Sequence, residues 1–290
     1  MAGGSWKTLL LITVLIKALV ANGWRSYARP TTCTRLAAAG TTFENDIEPS
    51  PLPLGATKST NNLEERRPLK TALLALAART SRGEIASERE KDRARELICG
   101  LESFNPSVDP ALSDLCLGKW ELVFASTQLF RSSPFFMAAR AVCKEGREAA
   151  SFNQFCDLHR DALAFTQIGR VVQIVTEDKL ISEFETKVAV LPGAPLIVRG
   201  TIVSESDIVG RTGESWELYM DKIKIKGSNL PLAGSFFDTF GGLPIRTLGE
   251  QLEQRSGPRP RPIFRTYYVD KHMRISRDQD DNFFVYNRIE

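Results

Sequence analysis

The feature that most constrains this chain is a change of period at Gly118. Upstream, apolar residues recur at helical spacing; downstream, they alternate with polar ones. In GKWELVFASTQLF (118–130), Trp120, Leu122 and Phe124 fall on one side of a strand, with Glu121 and Val123 on the other. LISEFETKVAV (180–190) places Leu180, Phe184, Val188 and Val190 against Ile181, Glu183, Glu185 and Lys187. PLIVRGTIVS (195–204) places Leu196, Val198, Gly200 and Ile202 against Arg199 and Thr201. ESWELYMDKIKIK (214–226) aligns Trp216, Leu218 and Met220, then slips phase at Asp221, which predicts a bulge. GRVVQIVTED (169–178), IFRTYYVD (263–270), MRIS (273–276) and FFVYNR (283–288) bring the total to about eight strands.

LPGAP (191–195) and VGRTG (209–213) read as hairpin turns, so successive strands run antiparallel. The expected fold class is therefore mainly β. About eight antiparallel strands close most readily into a barrel whose interior holds one small ligand; a two-sheet sandwich is the competing architecture. Two insertions break the series. Residues 128–165 are helix-like and Phe-rich, and 228–252 have Pro and Gly around Phe236, Phe237 and Phe240. Such insertions plug a cavity, cap its mouth, touch a membrane, or simply pack on the barrel's outside.

A two-helix lead precedes the strands, over 68–104. Leu69, Leu73, Leu74 and Ala77 share a helix face, with Pro68 at a favoured first-turn position. Arg82-Gly83 ends that helix, and Ser87 with Glu90 forms an S-x-x-E capping box for a second. The second helix has Ala94, Ile98 and Leu101 on its apolar side and stops at NPSVDP (105–110). Residues 44–64, with three prolines and no period, read as linker.

The first 23 residues read as a secretory signal peptide: Lys7, the apolar run 8–21, then Ala21 and Gly23 at small-residue spacing. An uncleaved membrane anchor is the alternative. Residues 24–43 contain Arg, Ser, Thr and Ala but no acid, the composition of a transit peptide. Together they resemble the bipartite address of algal plastids bounded by extra membranes, with plain secretion as the alternative. The expected domain is 65–290, with its barrel over 117–289.

Charge weighs against nucleic acid as a partner. The formal charge is +3, but the first 43 residues carry five cations and no acid, and removing them leaves −2. Five cysteines (33, 99, 116, 143 and 156) are too few and scattered for a disulfide framework, and read as free thiols. A pairing of Cys143 with Cys156 is the alternative.

Gly118-Lys119-Trp120 is similar to the first signature of the lipocalin class. Three further motifs are Thr80-Ser81-Arg82-Gly83, then Leu101-Glu102-Ser103-Phe104-Asn105-Pro106, then a closing Tyr268-Val269-Asp270 with Arg274-Ile275-Ser276-Arg277. In this order, across about 68–288, they resemble the plastid lipid-associated proteins, also called plastid fibrillins. DQDDN (278–282) departs from that family's Gly-containing turn. The resemblance implies a lipocalin-like barrel, and association with thylakoids or plastid lipid droplets.

Site expectations follow. Gly118 and Trp120 close one end, a cation stacks on the indole, and Asp270 orients that cation. Arg274 is the first choice for it and Arg277 the second. Leu122, Phe124, Phe184, Val198, Trp216 and Leu218 line an apolar inner side. Phe135, Phe136, Phe236 and Phe237 contact a membrane or form a lid.

An enzyme is not expected. The chain lacks a Walker loop, G-x-G-x-x-G and G-x-S-x-G. Cys143, Cys156 and His159 lack a fourth ligand at zinc spacing. Asp278, Asp280 and Asn282 begin like a calcium loop, but Phe283 stands where its Gly is required. No cofactor or metal is expected. The leading function is non-enzymatic binding of a prenyl quinone, carotenoid or fatty acyl lipid, in the stroma, at the thylakoid surface or at plastid lipid droplets. The alternatives are a structural coat of plastid lipid bodies, or an accessory subunit of an isoprenoid or fatty-acid enzyme. An apolar cavity of roughly 300 Å³ or more favours a carrier, and a packed centre favours a coat.

Overall fold

The computed structural model of the protein describes residues 58–162, 166–189, 197–229 and 242–289. Helix α1 (Lys58–Arg79) starts before the expected boundary, so 58–64 is helix rather than linker, and Pro68 lies inside it. Glu64 and Pro68 are both exposed, so the carbonyl that proline cannot pair is open to water. Helix α2 (Glu88–Ser103) begins at the expected box: the Glu90 N–H donates to Ser87 Oγ, and the Ser87 N–H donates to the Glu90 carboxylate at 2.9 Å.

Strands β1 (Gly118–Ala125), β2 (Thr166–Val175), β3 (Lys179–Ala189), β4 (Ile197–Arg211) and β5 (Ser215–Lys226) pair in succession, antiparallel. A two-residue β6 (Leu243–Pro244) joins the side of β5. Then β7 (Ile263–Val269), β8 (Met273–Arg277) and β9 (Phe283–Arg288) follow, with β7 on β5 and β9 on β1. Eight strands therefore form a closed antiparallel ring, the barrel-like architecture that the alternation predicts. Between β1 and β2 lie a 3-10 turn (Leu129–Ser132), α3 (Pro134–Ala141) and α4 (Arg147–Ala162); α5 (Ile245–Ser256) precedes β7. The expected turn at 191–195 lies outside the described residues. The one at 209–213 is displaced: β4 runs on to Arg211, and the Thr212 N–H donates to the Ser215 carbonyl.

Three bulges set which side chains face in. On β5 the register steps from Glu205↔Lys222 to Ser206↔Met220, leaving Asp221 as the extra residue where the phase slip placed it. On β1 it steps from Leu122↔Tyr286 to Phe124↔Val285, and on β7 from Thr266↔Ser276 to Tyr268↔Ile275. The second and third turn Phe124 and Tyr268 outward. There they join Met273, Ile275, Phe283 and Val285 beneath the helical lead, with Phe124 and Phe283 stacked at 5.9 Å. Leu73, Leu76 and Ala77 of α1 and Leu97, Ile98 and Leu101 of α2 cover this outer face. The inner core holds Trp120, Leu122, Leu180, Trp216, Leu218 and Phe264.

The motifs quoted above join these two layers. Arg82 donates to the Ile168 and Gly169 carbonyls at 2.8 and 2.6 Å, beside a register shift in β2. Glu102 takes a two-pronged ion pair from Arg277, and Asn105 Oδ1 accepts from the Val269 N–H. The DQDDN turn needs no glycine. Asp281 itself adopts φ +61°, and Asp278 Oδ1 accepts from the Asp280 and Asn282 N–H groups.

Candidate functional site

One end of the ring is sealed by residues 111–117. Trp120 Nε1 donates to the Cys116 carbonyl at 2.8 Å, and Trp216 Nε1 donates to the Ala111 carbonyl at 2.7 Å. Gly118, at φ +113°, turns the chain from this floor into β1. The cation closest to the Trp120 ring is Arg288, with Cζ 4.2 Å from its centroid. Arg288 also donates to the Leu115, Leu117 and Lys271 carbonyls. It was legible only once β9 was paired with β1, which sets Trp120 opposite Arg288.

Arg274 lies inside the ring and is fully buried. Its Cζ is 4.5 Å from the Tyr286 ring, 5.3 Å from Trp120 and 5.6 Å from Trp216. Asp270 does not orient it, contrary to expectation. That carboxylate sits in the β7–β8 turn facing the helical lead, where it pairs with Lys70, accepts from Tyr268 Oη at 2.5 Å and caps the His272 and Met273 N–H groups. Strand alternation separates them, since Met273 and Ile275 face the lead and Arg274 between them faces in. Arg274 Nη2 donates to Gln173 Oε1, while Nε and Nη1 have no partner among the described residues. Burial pulls the Arg274 pKa below its ordinary value.

The inner wall is not the uniformly apolar surface expected. Gln173, Ser182, Ser204, Ser206, Thr266 and Ser276 are all buried on it. Nothing in the period distinguishes an inward serine from an outward one. The Thr266 and Ser276 hydroxyls pair at 3.0 Å, and Ser206 Oγ donates to the Leu180 carbonyl. Ser182 Oγ has no partner among the described residues.

The insertion after β1 fills the other end. Its 3-10 turn and α3 send Leu129 and Met137 into the inner core. The Ser132 carbonyl accepts from Gln173 Nε2 at 2.9 Å, and the Ser133 hydroxyl pairs with Ser204 at 2.8 Å. Phe130, Phe136 and Ala139 pack with Phe152 and Cys156 of α4, forming a small core of the insertion's own. Asp280 latches this lid to the β8–β9 turn, 2.9 Å from Arg131 and 2.7 Å from Arg140. Neighbouring Asp278 is buried, and desolvation pushes its pKa up to about 6 against the attraction of Arg131. With the lid in place, Trp120, Ser182, Ser204, Leu218, Phe264 and Arg274 are 0% exposed, so no water-sized void adjoins them. The centre is packed.

Leu122, Phe184, Trp216 and Leu218 lie in the inner core. Phe124 is the correction, because the β1 bulge places it outside under the helices. Val198 pairs with Val188 across β3 and β4, and its side chain is outside those described. Phe136 is buried in the lid's own core and Phe135 packs on it edge-on at 5.3 Å. Phe236 and Phe237 lie outside the described residues. Cys116 and Cys156 are buried free thiols, pushed up to about 11 and about 12 by desolvation. Among the described residues no His, Cys, Asp and Glu cluster could hold a metal, and no helix is long and apolar enough to cross a membrane.

Floor, ring and lid define a class: an antiparallel barrel-like protein organised around an interior rather than an open cleft. The chain belongs to the PAP_fibrillin family, whose model matches residues 67–287, from the helical lead to β9. It is thus one of the plastid lipid-associated proteins. No curated protein and no solved structure matches it.

Proposed function

We propose that this protein binds a hydrophobic plastid molecule (a prenyl quinone, carotenoid or fatty acyl lipid) without catalysing a reaction, taking it between floor and lid. The observation that carries this reading is the construction of the lid. Its aromatics pack mainly on one another, through Phe130, Phe136 and Phe152, and ion pairs attach it at one corner. Such an element can withdraw as a unit without exposing its own core to water. Withdrawal removes Leu129 and Met137 from the interior and leaves room for an apolar chain. Thylakoid surface and plastid lipid droplets are the expected sites of action, reached by the signal and transit segments.

The packed centre favours a second reading, a coat protein of plastid lipid bodies. In that role Phe135 and Phe136 insert into lipid, and the lid must open outward to release Phe136. Native mass spectrometry of protein isolated from its own plastid tests the first reading. A bound lipid of one class supports it; no co-purifying lipid, together with no binding across a lipid panel, refutes it. Liposome flotation of the Phe135→Ser, Phe136→Ser variant tests the second, which requires release from the vesicles.

A further inference from the structure

Arg274 is the least compensated charge in the described interior. A guanidinium stays protonated, and taking it out of water costs several kcal/mol unless an anion and hydrogen bonds offset that loss. Among the described residues no carboxylate pairs with it. Gln173 uses one donor, and Nε and Nη1 remain unpaired among the described residues. Three aromatic rings surround it, an arrangement that steadies a cation but leaves its in-plane N–H groups unsatisfied.

The groups around it form a polar belt. Gln173 lies opposite Ser182 across β2 and β3, and Ser182 opposite Ser204 across β3 and β4. The lid completes this belt with its own polar atoms. The Ser132 carbonyl takes the Gln173 amide, and the Ser133 hydroxyl takes Ser204. Ser182 Oγ is left over. The tip of the lid thus stands where the polar end of a guest would meet Gln173 and Ser204. When it leaves, the amide of Gln173 and the hydroxyl of Ser204 become available alongside Arg274.

We propose that Arg274, with Gln173, Ser182 and Ser204, is the headgroup site for a single-chain lipid bearing a carboxylate, which enters as the lid tip withdraws. This rests on the reading of the interior as a lipid site, and narrows its cargo to acids. The charge selects a carboxylate over a phosphate monoester. One guanidinium balances one negative charge, and nearby Arg288 is committed to the Leu115 and Leu117 carbonyls of the floor and to the Lys271 carbonyl of the β7–β8 turn. The acyl chain then runs from Arg274 toward the mouth past Leu218, Ile202 and Phe184, which line the inner core. A neutral lipid of the same length fills that path and leaves the guanidinium unpaired.

The test is fluorescence titration of the full chain with cis-parinaric acid and, separately, with its methyl ester. The acid is expected to bind roughly tenfold to a hundredfold more tightly, the range for one charged hydrogen-bonded contact. Arg274→Gln should bring acid and ester to the same affinity. A second variant does not disturb the cation: Ser133→Cys with Ser204→Cys, whose parent oxygens are 2.8 Å apart, ties the lid tip to β4 when oxidised. Because Ser204 belongs to the proposed site, the oxidised form is compared only with the same variant reduced: acid uptake should vanish on oxidation and reappear on reduction, at an affinity below that of the unaltered chain. Equal affinity for acid and ester in the unaltered chain overturns the carboxylate site but leaves apolar cargo standing. Uptake that persists with the lid tied overturns the interior location. Binding of neither probe overturns the inference, while the cargo reading is judged by the co-purified lipid.

Discussion

At Gly83 the chain turns with φ +91°, and a Cβ there would stand 2.1 Å from the Ala125 carbonyl oxygen. The residue is held there by its neighbour, since the Ala125 N–H donates to the Arg82 carbonyl at 3.0 Å. Gly83→Ala therefore meets both a strained backbone and a rigid clash, and should cost about 2–4 kcal/mol in urea unfolding. Asp278 offers a pH-dependent counterpart. Its folded pKa is raised by burial to about 6, above the ordinary value of 3.8. A raised carboxylate pKa stabilises the fold below the unfolded value, and that contribution is lost as pH rises through the folded one. Relative to Asp278→Asn, the unaltered protein should gain on the order of 1–3 kcal/mol as pH falls from 7 to 4. Denaturant midpoints of both proteins at four pH values measure this; a constant difference rules it out. At this scale the sequence was legible where a motif residue has one geometric use, as with Gly83 and Gly118. At Arg274 it was legible in part: the stacking on Trp120 was expected and is seen at 5.3 Å, but no period reveals that this cation is fully buried with two of its donor nitrogens unpaired among the described residues.

Elements were read well where one period persists and poorly where a single extra residue reverses it. The slip at Asp221 announced itself because the apolar set visibly changes sides after it. The bulge in β1 did not, because Val123 and Phe124 are both apolar and continue a plausible strand. Its consequence is large: Phe124 and Tyr268 leave the interior and become the surface on which α1 and α2 rest. The lid presents the opposite case. Its helical character was readable from 128–165, but its latch joins Arg131 and Arg140 to Asp280, some 140 residues away in the chain. Asp280→Asn removes the charge from both contacts and leaves two buried guanidinium groups with fewer acceptors. Hydrogen exchange across 129–141 should quicken by roughly tenfold to a hundredfold, while β8 and β9 keep their protection. Uniform acceleration across the ring would instead mean that lid and wall open together.

For the whole molecule, the helical lead and the ring share one packed apolar layer, so they are expected to unfold together rather than as a domain with an appendage. The lead covers the outer face of β1, β7, β8 and β9, where Phe124, Tyr268, Met273, Ile275, Phe283 and Val285 are each at most 1% exposed. Polar ties run in parallel with that apolar contact: Lys70 to Asp270, Arg82 to the β2 backbone, Glu102 to Arg277 and Asn105 to β7. The Thr80–Gly83, Leu101–Pro106 and Tyr268–Arg277 motifs are therefore largely the fasteners between lead and ring. Burial opposes the Arg277 charge, but Glu102 and Asp281 outweigh it and hold its pKa above the ordinary value. Removing one partner of this pair leaves the other partly desolvated, so Arg277→Ala and Glu102→Ala should each cost about 2–4 kcal/mol, with a double variant costing far less than their sum. A double-mutant cycle in urea measures the coupling. If lead and ring unfold as one, every variant will also keep a single transition with an unchanged denaturant slope, because the same surface is exposed in each. A second transition, with the lead's helical signal lost before the ring's aromatic signal, would show that the barrel stands without its helices.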